Sequence, residues 1–282
     1  MEIRINGNIL NITIEHEKTV GEIMAGIEVW LANSGHRLSG LSMDGAAAGT
    51  DSLESAFSRE IDTIKVLDIF TNSLSDLTVM SLASLLADID EYSELSFDEK
   101  NIFLAGWKTK PQAQFAEEQM PDLYNDFTKT FSNEGLNVHI LRSITEERLR
   151  ETENPFFEFS GIRILLEETC EKLINLPLDI QTGKDVQAAQ TIQMFTGITD
   201  KIIRIVRHLN NQGLLAAVNE QTEKQIPQLI NEFNQAAKEL LDAYEKYDTV
   251  LVGDLAEYEM APKLHELYNV IMDNIQKPAG AE

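Results

Sequence analysis

Apolar and polar residues alternate in two short runs within the first 14 residues of the chain. The apolar positions of the two runs are Ile3, Ile5, Leu10, Ile12 and Ile14. Asn6-Gly7 lies between the runs, and alternation on both sides of an Asn-Gly pair is a strong hairpin signal. The pattern therefore predicts a β-hairpin at the start of the chain.

Helical spacing replaces the alternation after the hairpin. Thr19 and Glu22 are placed as a capping box for a helix N-terminus. Apolar residues then recur at intervals of three and four, at Val20, Ile23, Met24, Ile27, Trp30 and Leu31. This stripe predicts an amphipathic helix with one buried face, and the helix is expected to end at Asn33-Ser34-Gly35.

Short elements are predicted for the next 40 residues. Leu38 and Leu41 favour a strand that ends at the turn Asp44-Gly45, and residues 46–50 are expected to form a loop. Residues 52–57 favour one helical turn. Residues 61–70 are rich in β-branched and apolar side chains, which is typical of a strand.

The predicted order of hairpin, helix, strand, helical turn and strand resembles that of ubiquitin. Residues 52–57 followed by 61–67 also look like the closing segment of ubiquitin. The resemblance implies a ubiquitin-like β-grasp domain over residues 1–72, and a generic small α+β domain is the alternative. It does not imply conjugation or sulfur transfer, since the chain continues beyond Thr71-Asn72-Ser73 where such proteins end on Gly-Gly.

Beyond a boundary at residues 72–75, helical spacing continues through an acidic region. Residues 73–154 contain 16 acidic and 7 basic side chains. A capped helix is expected from Ser75, followed by short helices with breaks at Lys110-Pro111, Met120-Pro121 and residues 133–135. A further helix is expected over residues 136–151.

Four amphipathic helices are predicted for residues 155–282. The first begins at Asn154-Pro155 and is expected to stop at Pro177, and the second covers about residues 186–209. The third follows Ile226-Pro227, and Asp248 caps the fourth. Short connections between four such helices favour an antiparallel four-helix bundle. The expected domains are therefore a β-grasp domain at 1–72, an acidic helical region at 73–154 and a bundle at 155–282.

Charge and composition narrow the classes of partner. The formal net charge of −24 argues against binding to nucleic acids and to anionic membranes, because both require a basic surface. No stretch of the sequence approaches 18 uncharged apolar residues, so no membrane span is expected. One cysteine, Cys170, excludes a disulfide framework within the chain. We expect a cytoplasmic protein whose partner is another protein.

Motifs for cofactor or metal binding are weak in this sequence. Residues 181–185 resemble a phosphate loop only in part, because the first glycine and the Ser or Thr after Lys184 are absent. None of the five histidines has a metal-ligand spacing, and Cys170 lies on an apolar helix stripe. We therefore expect no cofactor, no metal and no catalytic residue.

Two polar groups remain as candidate sites. Lys201, Arg204 and Arg207, with His208, form a basic stripe at helical spacing. We expect this stripe to be exposed, where it either stabilises the C-terminal end of its helix or binds an acidic partner. An internal contact with the acidic region at 73–154 is the alternative. Asp254, Glu257 and Glu259 lie around Tyr258, and the first two share a helix face. Paired carboxylates of this kind can perform acid–base work or bind a cation, or they form a solvated surface.

These patterns favour a non-enzymatic adaptor, scaffold or chaperone that binds other proteins. The alternative is an enzyme or a small-ligand-binding regulator with a site between bundle helices. A buried pocket with converging carboxylates favours the second function, and a dry bundle core favours the first.

Overall fold

The computed structural model describes residues 1–12, 14, 16–33, 35–49, 53–215 and 220–275. The chain divides into two compact units, residues 1–145 and 146–282. The predicted division into three domains is a different partition and stays a prediction. Ser34 and Ser52, which belong to two of the predicted turns, lie outside the described residues.

Unit 1 begins with a mixed five-stranded sheet in the order β2-β1-β5-β3-β4. Strands β1 and β5 are parallel neighbours at its centre, and the other pairs are antiparallel. The strands are β1 (Glu2–Ile5), β2 (Asn8–Ile9), β3 (His36–Met43), β4 (Ala46–Ala47) and β5 (Val66–Ser73).

Two tight turns set the register of this sheet. Asn6 and Gly7 both have positive φ angles, as do Asp44 and Gly45, which is the geometry of a type I′ hairpin turn. The predicted first hairpin is confirmed, but its second strand is only Asn8–Ile9 and does not extend to Leu10, Ile12 and Ile14. The loop expected at residues 46–50 is wrong at its start, because Ala46–Ala47 pairs with β3 through the second turn.

The last strand is shorter at its start than the sequence predicts. Residues Ile61–Thr63 form a 3₁₀ turn, and β5 begins only at Val66. The carboxylate of Asp44 accepts hydrogen bonds from the backbone N–H groups of Lys65 and Val66, each at 2.9 Å. These bonds hold the start of β5 against the turn that follows β3.

Helix α1 (Val20–Asn33) packs on the sheet, and the short helix α2 (Leu53–Phe57) packs beside it. The predicted capping box is present, because Glu22 accepts from Thr19 N–H and Thr19 Oγ1 accepts from Glu22 N–H. Their shared core contains buried apolar side chains from the helix and the three central strands: Ile3, Val20, Ile23, Met24, Ile27, Leu31, Leu41, Leu67 and Ile69.

Unit 1 continues as helices. They are α3 (Leu74–Glu94), α4 (Phe97–Trp107), α5 (Pro111–Gln119) and α6 (Pro121–Phe131), and α7 (Val138–Glu153) contains the division between the units. Pro111 and Pro121 start their helices as expected. The cap of α3 is Ser73, which forms a capping box with Asp76. The start predicted at Ser75 is therefore two residues late.

A buried carboxylate organises the helices α3, α4 and α5. Asp88 is 3% exposed and accepts hydrogen bonds from Trp107 Nε1 at 3.0 Å and Lys110 Nζ at 2.8 Å. Gln112 Nε2 donates to the same carboxylate. Because each carboxylate oxygen has a partner, the charge is compensated and this contact is structural.

Unit 2 is helical in its described residues. Its helices are α8 (Pro155–Gly161), α9 (Arg163–Gln181), α10 (Asp185–Asn211), α11 (Glu220–Glu245), α12 (Thr249–Asp254), a π-helix (Leu255–Met260) and α13 (Ala261–Asn274). They share one apolar core that includes Phe159, Leu173, Phe195, Ile202, Phe233, Leu240, Leu264 and Ile271.

Two predicted helix boundaries in unit 2 are wrong, both at prolines. Pro177 lies inside α9, which continues to Gln181, and Pro227 lies inside α11, which begins at Glu220. A break at Ile162 instead separates α8 from α9. Asp248 caps α12 as predicted, because its side chain accepts from Leu251 N–H at 3.1 Å. No helix within the described ranges is long and apolar enough to cross a membrane.

Candidate functional site

An open apolar groove lies in the sheet domain, between α1 and the segment that follows β2. Its volume is about 300 Å³. One side is formed by residues of the segment and the other by residues of α1: Leu10, Ile12, Ile14 and Glu17, then Glu22, Ile23, Gly26, Ile27 and Trp30.

Apolar side chains form both the floor and the rim of the groove. Ile23 and Ile27 are 4% and 6% exposed and belong to the domain core. Trp30 and Ile12 are 53% and 45% exposed, so much of their surface faces water. Exposed apolar surface around a concave site is typical of a binding surface rather than of a folding core.

Gly26 keeps the groove open at the middle of α1. Glycine in a helix interior destabilises it by roughly 0.5–1 kcal/mol relative to alanine. A Cβ atom on Gly26 would meet nothing within 4 Å, whereas one on Gly21 would lie 3.1 Å from the carbonyl oxygen of Phe57. Gly21 is therefore explained by packing against α2, and Gly26 has no such explanation within the fold.

The groove lies beside an edge of the sheet. Strand β2 pairs with β1 alone among the described strands, so one side of its backbone faces no other strand. Ile9 of this strand is 62% exposed. An unpaired edge next to an apolar groove can accept an extended peptide as an added strand.

Among the residues that the structure describes, the two charged side chains that line the groove are both acidic. Glu22 is exposed and accepts hydrogen bonds from the backbone N–H groups of Lys18 and Thr19. Glu17 accepts from the backbone N–H of His16 at 3.1 Å. The two carboxylates give this end of the groove a negative potential, which favours a cationic group on whatever binds there.

The apolar stripe of α1 predicts that Trp30 is buried, and this prediction is wrong because Trp30 is 53% exposed. Val20, Ile23, Met24, Ile27 and Leu31 are buried as predicted. Trp30 is the member of the stripe that the fold leaves exposed. A mid-helix glycine four residues before an exposed tryptophan is a pattern that could have indicated the groove.

The basic stripe of α10 contacts acidic residues within unit 2. Arg204 forms a two-pronged ion pair with Glu151, with Nε–Oε2 and Nη2–Oε1 distances of 3.0 Å. The Glu151 side chain is fully buried. Lys201 Nζ lies 2.6 Å from Glu147, 3.3 Å from Glu158 and 3.8 Å from Glu151.

These contacts correct the expectation that the stripe is exposed. The Lys201 and Arg204 side chains are only 17% and 21% exposed, and Arg207 remains exposed. The structure therefore has the internal contact that the sequence left as an alternative, with Glu147 and Glu151 from the acidic region. Binding of a partner by Lys201, Arg204 and Arg207 stays a prediction.

Proton binding in this cluster is perturbed by burial and by the fixed charges. Burial opposes ionisation of Glu147, but the hydrogen bond and charge of Lys201 outweigh it and hold the pKa of Glu147 below its usual value. Burial, with the charges of Arg207 and Arg148, lowers the pKa of His208 to about 4. His208 is therefore neutral at pH 7, and its Nε2 lies 3.4 Å from Thr152 Oγ1.

The cluster of Asp254, Glu257 and Tyr258 lies on the surface of unit 2. All three side chains are exposed, and the last two belong to the π-helix. The neighbouring charge of Glu257 raises the pKa of Tyr258. Gly253 permits this geometry, since a Cβ there would lie 3.1 Å from Pro177 Cγ. The structure does not gather these groups in a buried pocket.

The structure accounts for Cys170 and for the turn at Gly183 without a catalytic or phosphate-binding role. Burial raises the pKa of the Cys170 thiol to about 11, which makes it unreactive in the folded protein. Gly183 has a φ of +70° in the turn between α9 and α10, as a helix-connecting turn requires. Within the described part of the chain, no group of three His, Cys, Asp or Glu residues is arranged to hold a metal ion.

Two family models match separate parts of the chain. Residues 1–73 match the model described as the TP0873 N-terminal domain. Residues 160–270 match a model described as a domain of unknown function, DUF8042. The groove therefore lies within the first matched segment.

A curated relative also matches part of the chain. An uncharacterized protein of Treponema pallidum (strain Nichols) is 32% identical over 80 residues, which is 28% of this chain and 40% of the relative. The chain thus spans less than half the length of that relative. No solved structure matches the chain.

Proposed function

We propose that this chain is a cytoplasmic, non-enzymatic protein-binding protein whose N-terminal domain holds an extended segment of a partner in the groove between α1 and β2. The proposal depends on the observation that Gly26 lies in the middle of α1, at the open groove. It destabilises α1 without a packing reason in the fold, and it leaves open a groove rimmed by Ile12 and Trp30. A glycine at such a position fits a requirement for space at the groove.

The groove favours an extended segment with apolar side chains at alternate positions. Main-chain hydrogen bonds to the free side of β2 provide affinity that does not depend on sequence, and the groove selects the side chains that face it. Trp30 is half-exposed on the rim, and tryptophan is enriched among residues that dominate binding energy. A volume of about 300 Å³ is at the small end of ligand pockets, which suits one or two aliphatic side chains.

The negative charge around the groove predicts the charge of the segment that binds there. Glu17 and Glu22 line the groove, and the whole chain has a formal net charge of −24. A segment with Lys or Arg next to its apolar positions would be attracted by the two groove carboxylates and by the net negative charge of the chain. An acidic segment would be repelled by the same charges. We therefore assign the groove to an apolar segment of a partner protein that has at least one basic residue beside it.

The fold supports an interaction role by analogy. The strand order β2-β1-β5-β3-β4, with parallel central strands and a helix across the sheet, agrees with a ubiquitin-like β-grasp domain. The shared core of the helices in unit 2 agrees with an antiparallel bundle. A fold alone does not determine a function, so the argument for function depends on the groove.

The test is selection from a library of random peptides displayed on phage, with the full chain as bait. The expected result is enrichment of peptides with alternating apolar residues and an adjacent Lys or Arg. The Gly26→Leu variant places a side chain in the groove and should lose these peptides. Ala25→Leu is the matched control, because Ala25 is an exposed neighbour in α1 that does not line the groove.

Three results would overturn the proposal. One is equal capture of the selected peptides by the Gly26→Leu variant and the wild type. Another is enrichment of acidic peptides. The third is concentration-dependent self-association of the wild type that Gly26→Leu abolishes, since the occupant of the groove would then be a second copy of this chain.

A further inference from the structure

Three residues of α1 form one bank of the groove, and they follow each other at intervals of one helical turn. Glu22, Gly26 and Trp30 are four residues apart, are exposed, and line the groove. Ile23 and Ile27, one position further round the helix, are buried and form the floor. Because its lining extends from Glu22 to Trp30, the groove runs along α1 for about two turns.

The spacing of these three residues matches that of an extended peptide. Residues four apart in a helix are about 6 Å apart along its axis. Side chains on one face of an extended strand recur at every second residue, at about 6.6 Å. From Glu22 to Trp30 the two repeats differ by only about 1 Å in total. An extended segment that lies along α1 can therefore place alternate side chains at Trp30, Gly26 and Glu22.

The apolar part of the bank offers two different surfaces. At one end, the Trp30 side chain is 53% exposed and provides an apolar contact. In the middle, a Cβ atom added to Gly26 would meet nothing within 4 Å, so the space above this residue is open. A large apolar side chain of a ligand fits at Gly26, whereas any side chain on α1 at this position would occupy the same space.

The carboxylate of Glu22 is held in place at the other end and keeps one oxygen for a ligand. Its Oε2 accepts hydrogen bonds from the backbone N–H groups of Lys18 and Thr19. Its Oε1 forms no hydrogen bond or ion pair with a residue that the structure describes. Glu17, the neighbour of Lys18 in the sequence, adds a second carboxylate at this end of the groove. A cation is therefore favoured at Glu22 and an apolar side chain at Trp30.

We propose, on the basis of the function proposed above, that the groove binds its partner segment in one fixed register. One apolar side chain packs against Trp30, and a second, two residues away, lies over Gly26. A Lys or Arg two residues further pairs with Glu22. The groove thus recognises two apolar residues and one basic residue at consecutive alternate positions.

This register makes the groove selective for the position of the charge and for the size of the central side chain. A lysine displaced by one residue lies on the opposite face of the extended segment and points away from Glu22. The central side chain is limited by what occupies the bank at Gly26. Glu22 and Gly26 are therefore the residues that determine specificity, while Trp30 supplies an apolar contact common to all bound segments.

Synthetic peptides of equal composition test the position of the charge. The parent peptide contains Lys-Ser-Leu-Ser-Leu in a host of Ser and Gly residues, with both termini blocked so that lysine is its only charge. Two isomers move the lysine by one residue, toward or away from the leucines, and the set is repeated in the reverse order. Each peptide is titrated into the isotopically labelled full chain, and the indole N–H resonance of Trp30 is followed by NMR.

We expect the parent peptide to bind about two- to fivefold more tightly than its isomers in at least one of the two orders, because only the parent pairs its lysine with Glu22. Glu22→Gln should remove this preference, and it retains the helix cap because glutamine also serves in a capping box. Glu28→Gln is the control, since Glu28 is exposed on the same helix and does not line the groove. It should leave the preference unchanged.

Gly26→Ala tests the central position separately. The added methyl group should weaken binding of the parent peptide at least about fivefold, because it crowds the central leucine. It should change binding by less than about twofold when that leucine is replaced by glycine, which leaves the space over Gly26 empty. Gly106→Ala is the control, because Gly106 is an equally open helical glycine away from the groove.

The results separate this inference from the proposed function. Equal affinity for all positions of the lysine would overturn the register but leave peptide binding by the groove in place. A preference that persists in Glu22→Gln, or equal losses in Gly26→Ala with central leucine and central glycine, would do the same. If neither these peptides nor any phage-selected peptide shifts the Trp30 resonance, the proposed function and the register both fail.

Discussion

Replacement of Arg204 by methionine should strongly destabilise unit 2. The substitution keeps an aliphatic side chain of similar length but removes the guanidinium that pairs with Glu151 at two 3.0 Å contacts. Because the Glu151 side chain is fully buried, the variant leaves a carboxylate in the interior without its main counterion. Removing one partner of a buried ion pair typically costs about 3–5 kcal/mol.

The loss of unfolding free energy in Arg204→Met should lie at the lower end of that range. Lys201 Nζ lies 3.8 Å from Glu151 Oε1 and compensates part of the buried charge. We therefore expect a decrease of about 3 kcal/mol in the free energy of unfolding. With a urea dependence of about 2 kcal/mol per molar, the unfolding midpoint should fall by about 1.5 M.

Cys170 allows unit 2 to be followed separately. It is the single cysteine of the chain and is buried in the core of unit 2. Pulsed labelling of its thiol in increasing urea, with mass detection, therefore reports the unfolding of this unit. Tryptophan fluorescence would not, since Trp30 and Trp107 both lie in unit 1.

Two further variants decide whether the reasoning is correct. Arg207→Met removes an exposed charge from the same helix and should change stability by less than about 0.5 kcal/mol. Arg204→Met combined with Glu151→Met removes both charges of the ion pair and should recover most of the loss. The account is refuted if Arg204→Met costs less than about 1 kcal/mol, or if Arg207→Met costs as much.

Three further predictions concern other positions in the two units. His208 has a pKa lowered to about 4, so the unfolded chain binds a proton below about pH 6.5 while the folded chain does not. Unfolding free energy should therefore fall by up to about 3 kcal/mol between pH 6.5 and pH 4, and urea titrations of His208→Gln should show a smaller fall. Gly26→Ala should raise the unfolding free energy by about 0.5–1 kcal/mol, whereas Gly21→Ala should lower it because of the 3.1 Å contact with Phe57; thermal melts of both variants measure this difference. A thiol reagent should modify Cys170 in the native protein only at the rate at which unit 2 opens, because burial raises the thiol pKa to about 11; a rapid reaction without denaturant contradicts this.

Local signals predicted turns and helix starts well where geometry required one residue type. Asn6-Gly7 and Asp44-Gly45 occupy turns with positive φ, which few other pairs adopt without strain. Pro111 and Pro121 start helices because their missing N–H groups are not needed there. In each case a few neighbouring residues determine the outcome.

Errors occurred where distant contacts override local preference. Pro177 and Pro227 were expected to end helices, but each lies inside one. Pro177 packs beside Gly253 of α12, a contact 76 positions away in the sequence that no local pattern reveals. Packing against the surrounding helices stabilises α9 and α11 enough for each to continue past its proline.

The candidate groove was not predictable from periodicity alone. Trp30 occupies a correct position on the apolar stripe of α1, and its exposure depends on where the segment after β2 passes. The ion pairs of Lys201 and Arg204 were likewise left open, because spacing along one helix does not tell which helix packs against it. Both features are properties of the tertiary structure.

The location of a selected peptide on the full chain tests the central claim most directly. Intermolecular nuclear Overhauser effects should be measured between an apolar, basic peptide and the methyl groups and indole of the protein. The account predicts contacts to Ile12, Ile23 and Trp30, with slowed hydrogen exchange at β2. Contacts confined to any other surface, with Trp30 unchanged, would contradict it.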